Sequence, residues 1–321
     1  MQAIRMHQTG GPEVFALETL PDPAPAPGEV LIDVEAVGVN FIDCYHRSGL
    51  YPQPLPFTPG VEGAGTVCAL GTGVTDWQIG DRVAWAGVPG SYAERIVVPT
   101  DRLVPIPATL TAEQAAAALL QGLTARVLTT ETCPLAPGDS VLIHAGAGGM
   151  GRLLIQLARA RGARVITTVG HADKIPLARA AGAERVIDRR QEDVLAACRD
   201  WTAGKGVRAV FDGIGEATFD TSLAALARRG ILVLFGQASG PVPPVDPARL
   251  AAGSLFLTRP SLFHYIAEPT ALRAHAAAVF TALAAGELQL LIHQTLPLSE
   301  AAAAHQALES GLTAGKLLLI P

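Results

Sequence analysis

Gly146-Ala147-Gly148-Gly149-Met150-Gly151 stands between an apolar run, SVLIHA (140–145), and a stretch with helical periodicity, RLLIQLARARG. Glycines at those intervals let the backbone turn tightly and approach an anion, and a following helix N-terminus offers it free N–H groups. In a chain with 33 glycines the spacing alone is weak, but its place after a strand and before a helix is what a dinucleotide pyrophosphate requires. A glycine-rich turn that holds nothing is the competing reading. About 20 residues on, an NAD site sets Asp or Glu against the ribose 2′-hydroxyl. Here that position falls in Thr167-Thr168-Val169-Gly170, with no carboxylate. Lys174 follows, and Arg189 and Arg190 come directly after the next strand-like run, so cations gather where the 2′-phosphate of NADPH belongs. Asp173 is the complication, since it either caps the next helix or weakens phosphate binding. Solvated helix-end charges are the alternative account of the cations.

Other chemistry is poorly represented. Cys44, Cys68, Cys133 and Cys198 are far apart with no Cys-x-x-Cys pair, which suggests neither a zinc knuckle nor a disulfide framework, only small buried thiols. No Gly-x-Ser-x-Gly elbow marks a hydrolase. The 24 Lys and Arg are scattered and the net charge is -5, so nucleic acid lacks its electrostatic footprint. With 49% hydrophobic and 17% charged residues the chain is not disordered. No uninterrupted apolar stretch is long enough to span a membrane, and a cytoplasmic protein is the default expectation.

The elements that must position these residues are legible. At 321 residues two domains or one large one are expected. Up to about residue 110, Gly and Pro punctuate short strand-like runs: EVLIDVEAVGV (29–39), GAGTVCAL (63–70), DRVAWAG (81–87) and AERIVVP (93–99). Alanine-rich helical text begins near residue 113, and a boundary is expected near 125. From 139 to 258 apolar runs alternate with amphipathic stretches: SVLIHA, ARVITTV (163–169), RVID (185–188), RAVFD (208–212), ILVLFG (231–236) and SLFLT (254–258). Helix-ending glycines are read in RGARVI, AGAERVI and RRGILVL. Six strands joined through helices predict an α/β fold with a doubly wound, six-stranded parallel sheet of the Rossmann kind. A final run, KLLLIP (316–321), packs back on the first domain in one arrangement that the sequence leaves open.

The whole chain resembles the medium-chain dehydrogenase/reductase superfamily, and within it the zinc-independent, zeta-crystallin-like quinone oxidoreductases. The motifs carrying this are VGVNFIDCYHRSGLYP (37–52), PGVEGAGTV (59–67), GDRVAW (80–85), QGLTARVL (121–128), HAGAGGMG (144–151), TVGHADK (168–174), FDGIGEATF (211–219), FGQASG (235–240) and TRPSL (258–262). The resemblance implies a GroES-like β-rich catalytic domain from 1–124 and 265–321, a Rossmann NADPH-binding domain from 125–264, the nicotinamide in the cleft, and a homodimer joined through the Rossmann domains. Positions that look equivalent to the zinc ligands of alcohol dehydrogenases hold Asn40, Val61 and Gln121, so no metal is expected. Cys44 and His46 lie close to Asn40 but lack a third ligand. Without a Lewis acid the expected reaction is hydride donation to a quinone or another electrophilic carbonyl. Tyr45 is expected to donate to the substrate oxygen and Asn40 to fix the nicotinamide ribose or the acceptor; a buried Tyr with a backbone partner and an Asn in a turn are the alternatives. Cofactor contacts implied by the resemblance are Asn40, Phe41, Gly146, Gly148, Gly149, Met150, Gly151, Gly170, Lys174, Arg189, Phe235, Gly236, Gln237, Pro260, Ser261, Leu262 and Lys316. An enoyl or 2-alkenal reductase, and an NADPH-binding protein without turnover, are the rival readings.

Overall fold

The punctuated runs become strands in a computed structural model that describes all residues 1–321. The first seven are β1 (Gln2–Arg5), β2 (Ala16–Thr19), β3 (Glu29–Val39), β4 (Glu62–Leu70), β5 (Arg82–Ala86), β6 (Arg95–Pro99) and β7 (Leu103–Pro105). Then come β8 (Ser140–Ile143), β9 (Arg164–Val169), β10 (Arg185–Asp188), β11 (Val207–Asp212), β12 (Leu226–Leu234), β13 (Phe256–Thr258), β14 (Ile292–Pro297) and β15 (Lys316–Ile320). The helices are α1 (Phe41–Ser48), α2 (Ala112–Val127), α3 (Gly149–Ala160), α4 (Ile175–Ala180), α5 (Val194–Trp201), α6 (Phe219–Ala225), α7 (Ala248–Ala251), α8 (Leu262–Tyr265), α9 (Pro269–Ala284) and α10 (Ala301–Glu309). None is long and apolar enough to cross a membrane. The chain divides into two units, Met1–Leu123 with Tyr265–Pro321, and Thr124–His264.

In the first unit the sheet runs β14-β15-β3-β4-β5-β7, with β6 also paired to β3. The last run of the chain does fold back: β15 lies antiparallel to β3, with Leu317 opposite Val39 and Leu319 opposite Val37. Alternation sends Val30, Ile32, Val83, Trp85, Leu317 and Leu319 into one core, where Trp85 Nε1 also donates to Ser91 Oγ at 2.9 Å. The C-terminal strand therefore lies within the sheet between β14 and β3, and α1 begins directly after β3.

The second unit is a six-stranded sheet in the order β10-β9-β8-β11-β12-β13, every pair parallel. Chain order leaves β8 in both directions, so the sheet changes hand of travel between β8 and β11, where open α/β sheets bind their ligands at the strand C-termini. Leu142, Ile166, Ile187, Val210 and Leu232 are buried between layers. Two of the three glycines read as helix ends take positive φ, Gly162 at 78° and Gly182 at 108°. The third reading is corrected. α6 ends at Ala225 and β12 has begun by Leu226, so Gly230 lies within the strand, beside Arg229 with φ of 59°. The pairing with β11 shifts register between Val207 and Ala209, and a Cβ on Gly230 would crowd Ala227 O at 2.8 Å. Gly230 serves a bulge, not a cap.

Candidate functional site

The glycine turn joins β8 to α3. Gly146 N–H donates to Thr168 O (2.9 Å), Gly148 N–H to Ala145 O (3.0 Å), and Ala145 takes a φ of 55°. Gly146 and Gly151 are packed so closely that a Cβ on either would collide with Thr167 Oγ1 or with Ala145 O. Gly148 is open by comparison, its nearest neighbour 3.3 Å from an added Cβ. Gly148 is also the N-cap of α3, supplies no side-chain cap, and no acid follows in the first turn. The 12-residue helix thus presents its positive end uncapped behind Gly149, Met150 and Gly151. This is a cradle that fits a pyrophosphate.

Beneath the turn, a polar network ties three strands together. His144 Nδ1 meets Thr168 Oγ1 (3.1 Å) and its Nε2 meets Ser222 Oγ (2.9 Å), while Ser222 donates to Asp212 Oδ2 at 2.6 Å. Ser222 gives its only proton to the carboxylate, so His144 donates from Nε2 and accepts at Nδ1. Burial lowers the His144 pKa, in opposition to the nearby Asp212 carboxylate, which favours this neutral form. Asp212 also accepts Ile214 N–H, Gly215 N–H and Thr218 Oγ1–H. These residues hold the ends of β9, β8 and β11 in register under a backbone that contains a non-glycine residue at positive φ.

The remaining expected cofactor residues of this unit lie at the same ends of the strands. Gly170 follows β9 and Arg189 follows β10, with the Arg189 guanidinium 3.6 Å from an added Cβ on Gly170. Lys174 is buried, and desolvation lowers its pKa against the raising influence of Asp173. Phe235 N–H donates to Asp212 O (2.9 Å), the Phe235 ring covers Gly213, and Gly236 sits against the Gly213 carbonyl. Gln237 packs on Gly215. Pro260, Ser261 and Leu262 come after β13, and Ser261 O accepts His264 N–H at 3.1 Å.

In the first unit, Phe41 and Tyr45 are half-buried on α1, their rings 6.3 Å apart and Tyr45 in a T-shaped contact with Tyr51 at 5.2 Å. Asn40 and Lys316 are joined to each other in a buried polar cluster. Asn40 Nδ2 donates to Gly38 O (3.1 Å) and Glu62 Oε2 (2.8 Å); its Oδ1 accepts Lys316 Nζ (2.7 Å) and Gln121 Nε2 (3.3 Å). Both amide protons and both lone pairs are therefore committed within the protein. Lys316 is 2% exposed and also bonds Glu62 Oε2 at 2.7 Å. It is the counter-ion of a fully buried glutamate, because a carboxylate withdrawn from water needs a paired cation. Asn40 and Lys316 fix the start of α1.

Sequence reasoning missed Glu62, whose signal was a lone acid in the apolar text PGVEGAGTV, and it missed the network on the other side of α1. There Asp43 Oδ2 accepts Asn40 N–H (2.8 Å) and Tyr92 Oη–H (3.3 Å), Tyr92 Oη meets His305 Nε2 (2.9 Å), and His305 Nδ1 meets Arg47 Nη1 (3.1 Å). Arg47 closes on Glu309 through two bonds of 3.0 and 2.7 Å. Cys44, read as a packing thiol, is buried 3.5 Å from His305 Nδ1, and burial lifts its pKa out of the reactive range.

Two family models match the chain. Residues 26–108 match the alcohol dehydrogenase GroES-like domain and residues 149–280 the zinc-binding dehydrogenase family. A quinone oxidoreductase of Pseudomonas aeruginosa is 44% identical over 97% of each chain. A 2-haloacrylate reductase of Burkholderia is 39% identical over 100% of this chain and 99% of its own. The crystal structure of Escherichia coli quinone oxidoreductase complexed with NADPH, 41% identical, superposes with a TM-score of 0.98 over the whole of both chains. The zinc in the one family description does not fit these residues. Val61 carries no donor atom, Asn40 is saturated, and an ammonium already neutralises Glu62. No group of three or more His, Cys, Asp or Glu side chains is arranged to hold a metal ion.

Proposed function

The chain belongs to the zinc-independent quinone oxidoreductases of the medium-chain dehydrogenase/reductase superfamily, and on that premise we propose that it reduces a quinone with NADPH, without a metal. The observation that carries this reading is the uncapped N-terminus of α3 behind Gly146–Gly151, with Lys174 and Arg189 beyond the neighbouring strand ends and no carboxylate in Thr167-Thr168-Val169-Gly170. Gly146, Gly148, Gly149, Met150 and Gly151 cradle the pyrophosphate, Gly170, Lys174 and Arg189 take the adenosine ribose phosphate, and Phe235, Gly236, Gln237, Pro260, Ser261 and Leu262 line the rest. When bound, the nicotinamide supplies a hydride. Tyr45 donates a hydrogen bond to the acceptor oxygen as negative charge develops on it, with Phe41 and Tyr51 holding that ring in place. Asn40, Glu62 and Lys316 act one layer behind, by fixing the start of the helix that carries Tyr45.

The 2-haloacrylate reductase relative supports a second reading, hydride delivery to a carbon–carbon double bond conjugated to a carbonyl. Loss of NADPH absorbance, with a benzoquinone, phenanthrenequinone and a 2-alkenal offered in parallel, separates the two. Faster loss with the quinones, persisting in EDTA, is expected. Loss only with the alkenal establishes the second reading, and no loss with any acceptor leaves a nucleotide-binding role. Tyr45→Phe should lower kcat about tenfold or more while NADPH affinity is kept, since only a hydrogen bond to developing charge is removed; unchanged kcat removes Tyr45 from the chemistry. The protein is further proposed to be a cytoplasmic homodimer. Its four thiols are unpaired, as a reducing compartment keeps them, and the edge strand β13 exposes Phe256.

A further inference from the structure

β9 ends at Val169, and the next residue, Gly170, has no side chain. The first side chain after the strand is therefore His171, directly past the stretch Thr167–Gly170 where an NAD-binding chain sets its acid. His171 Nδ1 lies 3.1 Å from Arg190 Nη1. A guanidinium has protons to give and no lone pair to accept with, so Arg190 donates and His171 Nδ1 accepts. That bond selects the neutral tautomer and leaves the ring proton on Nε2.

Both partners are anchored by backbone. β9 and β10 pair in parallel with Val169 opposite Asp188, and Arg189 N–H donates to Val169 O at 3.1 Å, which sets the two turns side by side. Asp188 Oδ1 accepts Arg190 N–H at 3.0 Å, fixing where the Arg190 side chain starts. Lys174 N–H donates to His171 O at 3.1 Å and closes the turn from the other side. The His171 and Arg190 side chains thus meet at the end of the sheet, with Lys174 and Arg189 on the two turns beside them.

We infer that His171, oriented by Arg190, is a specificity-determining residue that donates its Nε2 proton to the 2′-phosphate of NADPH. The inference rests on the NADPH reading above and adds the residue that replaces the acid. A ribose 2′-hydroxyl accepts only an ordinary hydrogen bond from the Nε2 proton, whereas an anionic phosphate accepts a stronger, charge-assisted one, so the gain falls on NADPH.

Titration calorimetry of the full chain with NADPH and with NADH tests this. His171→Ala should weaken NADPH about tenfold and leave NADH within about twofold, the size expected for one exposed hydrogen bond to a charged group. His171→Asp should weaken NADPH further and tighten NADH, because a carboxylate repels the phosphate and accepts from the hydroxyl. A gain in NADH affinity cannot come from a damaged fold. An unchanged NADPH-to-NADH ratio in both variants overturns the role of His171 and leaves the NADPH reading standing. Wild-type protein that binds the two cofactors alike overturns the NADPH reading itself, and this inference falls with it.

Discussion

Asp43 and His305 sit at two ends of one short chain of hydrogen bonds, linked through Tyr92, yet their titrations act oppositely on stability. Burial raises the Asp43 carboxyl from 3.8 to about 7, against the lowering influence of the Asn40 N–H and Lys316. Burial, and then the Arg47 charge, lower His305 from 6.5 to about 3. A carboxyl raised on folding binds its proton more tightly in the native state, so the stability it contributes below pH 3.8 is lost as pH rises to about 7. A lowered histidine contributes stability above 6.5 that is lost as pH falls toward 3. Over the range they share, the two slopes offset each other. Asp43→Asn keeps an acceptor for Asn40 N–H and Tyr92 and removes one of the slopes. Its melting temperature, followed by circular dichroism, should therefore climb more steeply between about pH 4 and 6.5 than that of the wild type. Parallel profiles would show that Asp43 does not titrate in that window. None of this cluster could be read from the chain in advance, and the reason is distance: His305 stands 213 residues from Tyr92, and Lys316 stands 276 residues from the Asn40 that it bonds. Spacing put the glycines between a strand and a helix, and the resemblance named Tyr45, Asn40 and Lys316; the protein partners of the last two are set by strand pairing, which no local pattern shows.

The turn between β8 and α3 shows how one element divides its residues between fold and ligand. Gly146 and Gly151 are glycines because of protein atoms: an added Cβ meets Thr167 Oγ1 in the first case and the Ala145 carbonyl in the second. Thr167 cannot swing aside freely, since its hydroxyl donates to Ile143 O at 2.5 Å. Gly148 meets only Ala145 O, at 3.3 Å, so a methyl group there asks for a small shift where the other two positions would collide. Gly146→Ala should cost about 1–3 kcal/mol of stability, the usual range for overpacking. Gly148→Ala should melt with the wild type but bind NADPH more weakly, because its methyl group faces the space a pyrophosphate must approach. The comparison of melting temperature with NADPH affinity for the two variants checks this, and a Gly148→Ala protein as unstable as Gly146→Ala would refute it. At this scale the sequence was most informative. All six strands of the parallel sheet overlap apolar runs bounded by turns, and in the central strands β8, β9 and β11 burial on both faces leaves a continuous apolar signature. The bulge at Gly230 was read as a helix cap, since a glycine before an apolar run looks the same in either role. β1, β2, β7 and β14 were not read at all: β1 and β7 are only four and three residues long, and β2 and β14 are mostly exposed, which leaves little periodicity to detect.

For the molecule as a whole, the two edges of the six-stranded sheet are not alike. β10 is bordered by charge: Arg185 pairs with Glu192, and Glu184 pairs with both Arg159 and Arg164. Charged side chains at an edge discourage a second chain from adding to it. β13 has no such guard. It is three residues long, pairs only with β12, and exposes Phe256 by 56% between the partly buried Leu255 and Leu257. An apolar edge left open on an otherwise well-buried chain invites a partner. Joining two β13 strands about a twofold axis continues the sheet with antiparallel pairing, and it places the same patch on both sides as an isologous interface demands. Such a contact lies at the end of the sheet opposite to β9 and β10, so it leaves His171, Lys174 and Arg189 untouched. The expected result is a mass of twice the chain by light scattering at micromolar concentration. Phe256→Lys should shift that mass to the monomer while NADPH binding by calorimetry is retained, because a buried ammonium with no counter-ion would oppose association but not the fold. A wild-type monomer would reject the dimer outright, and a Phe256→Lys dimer would reject β13 as its seam.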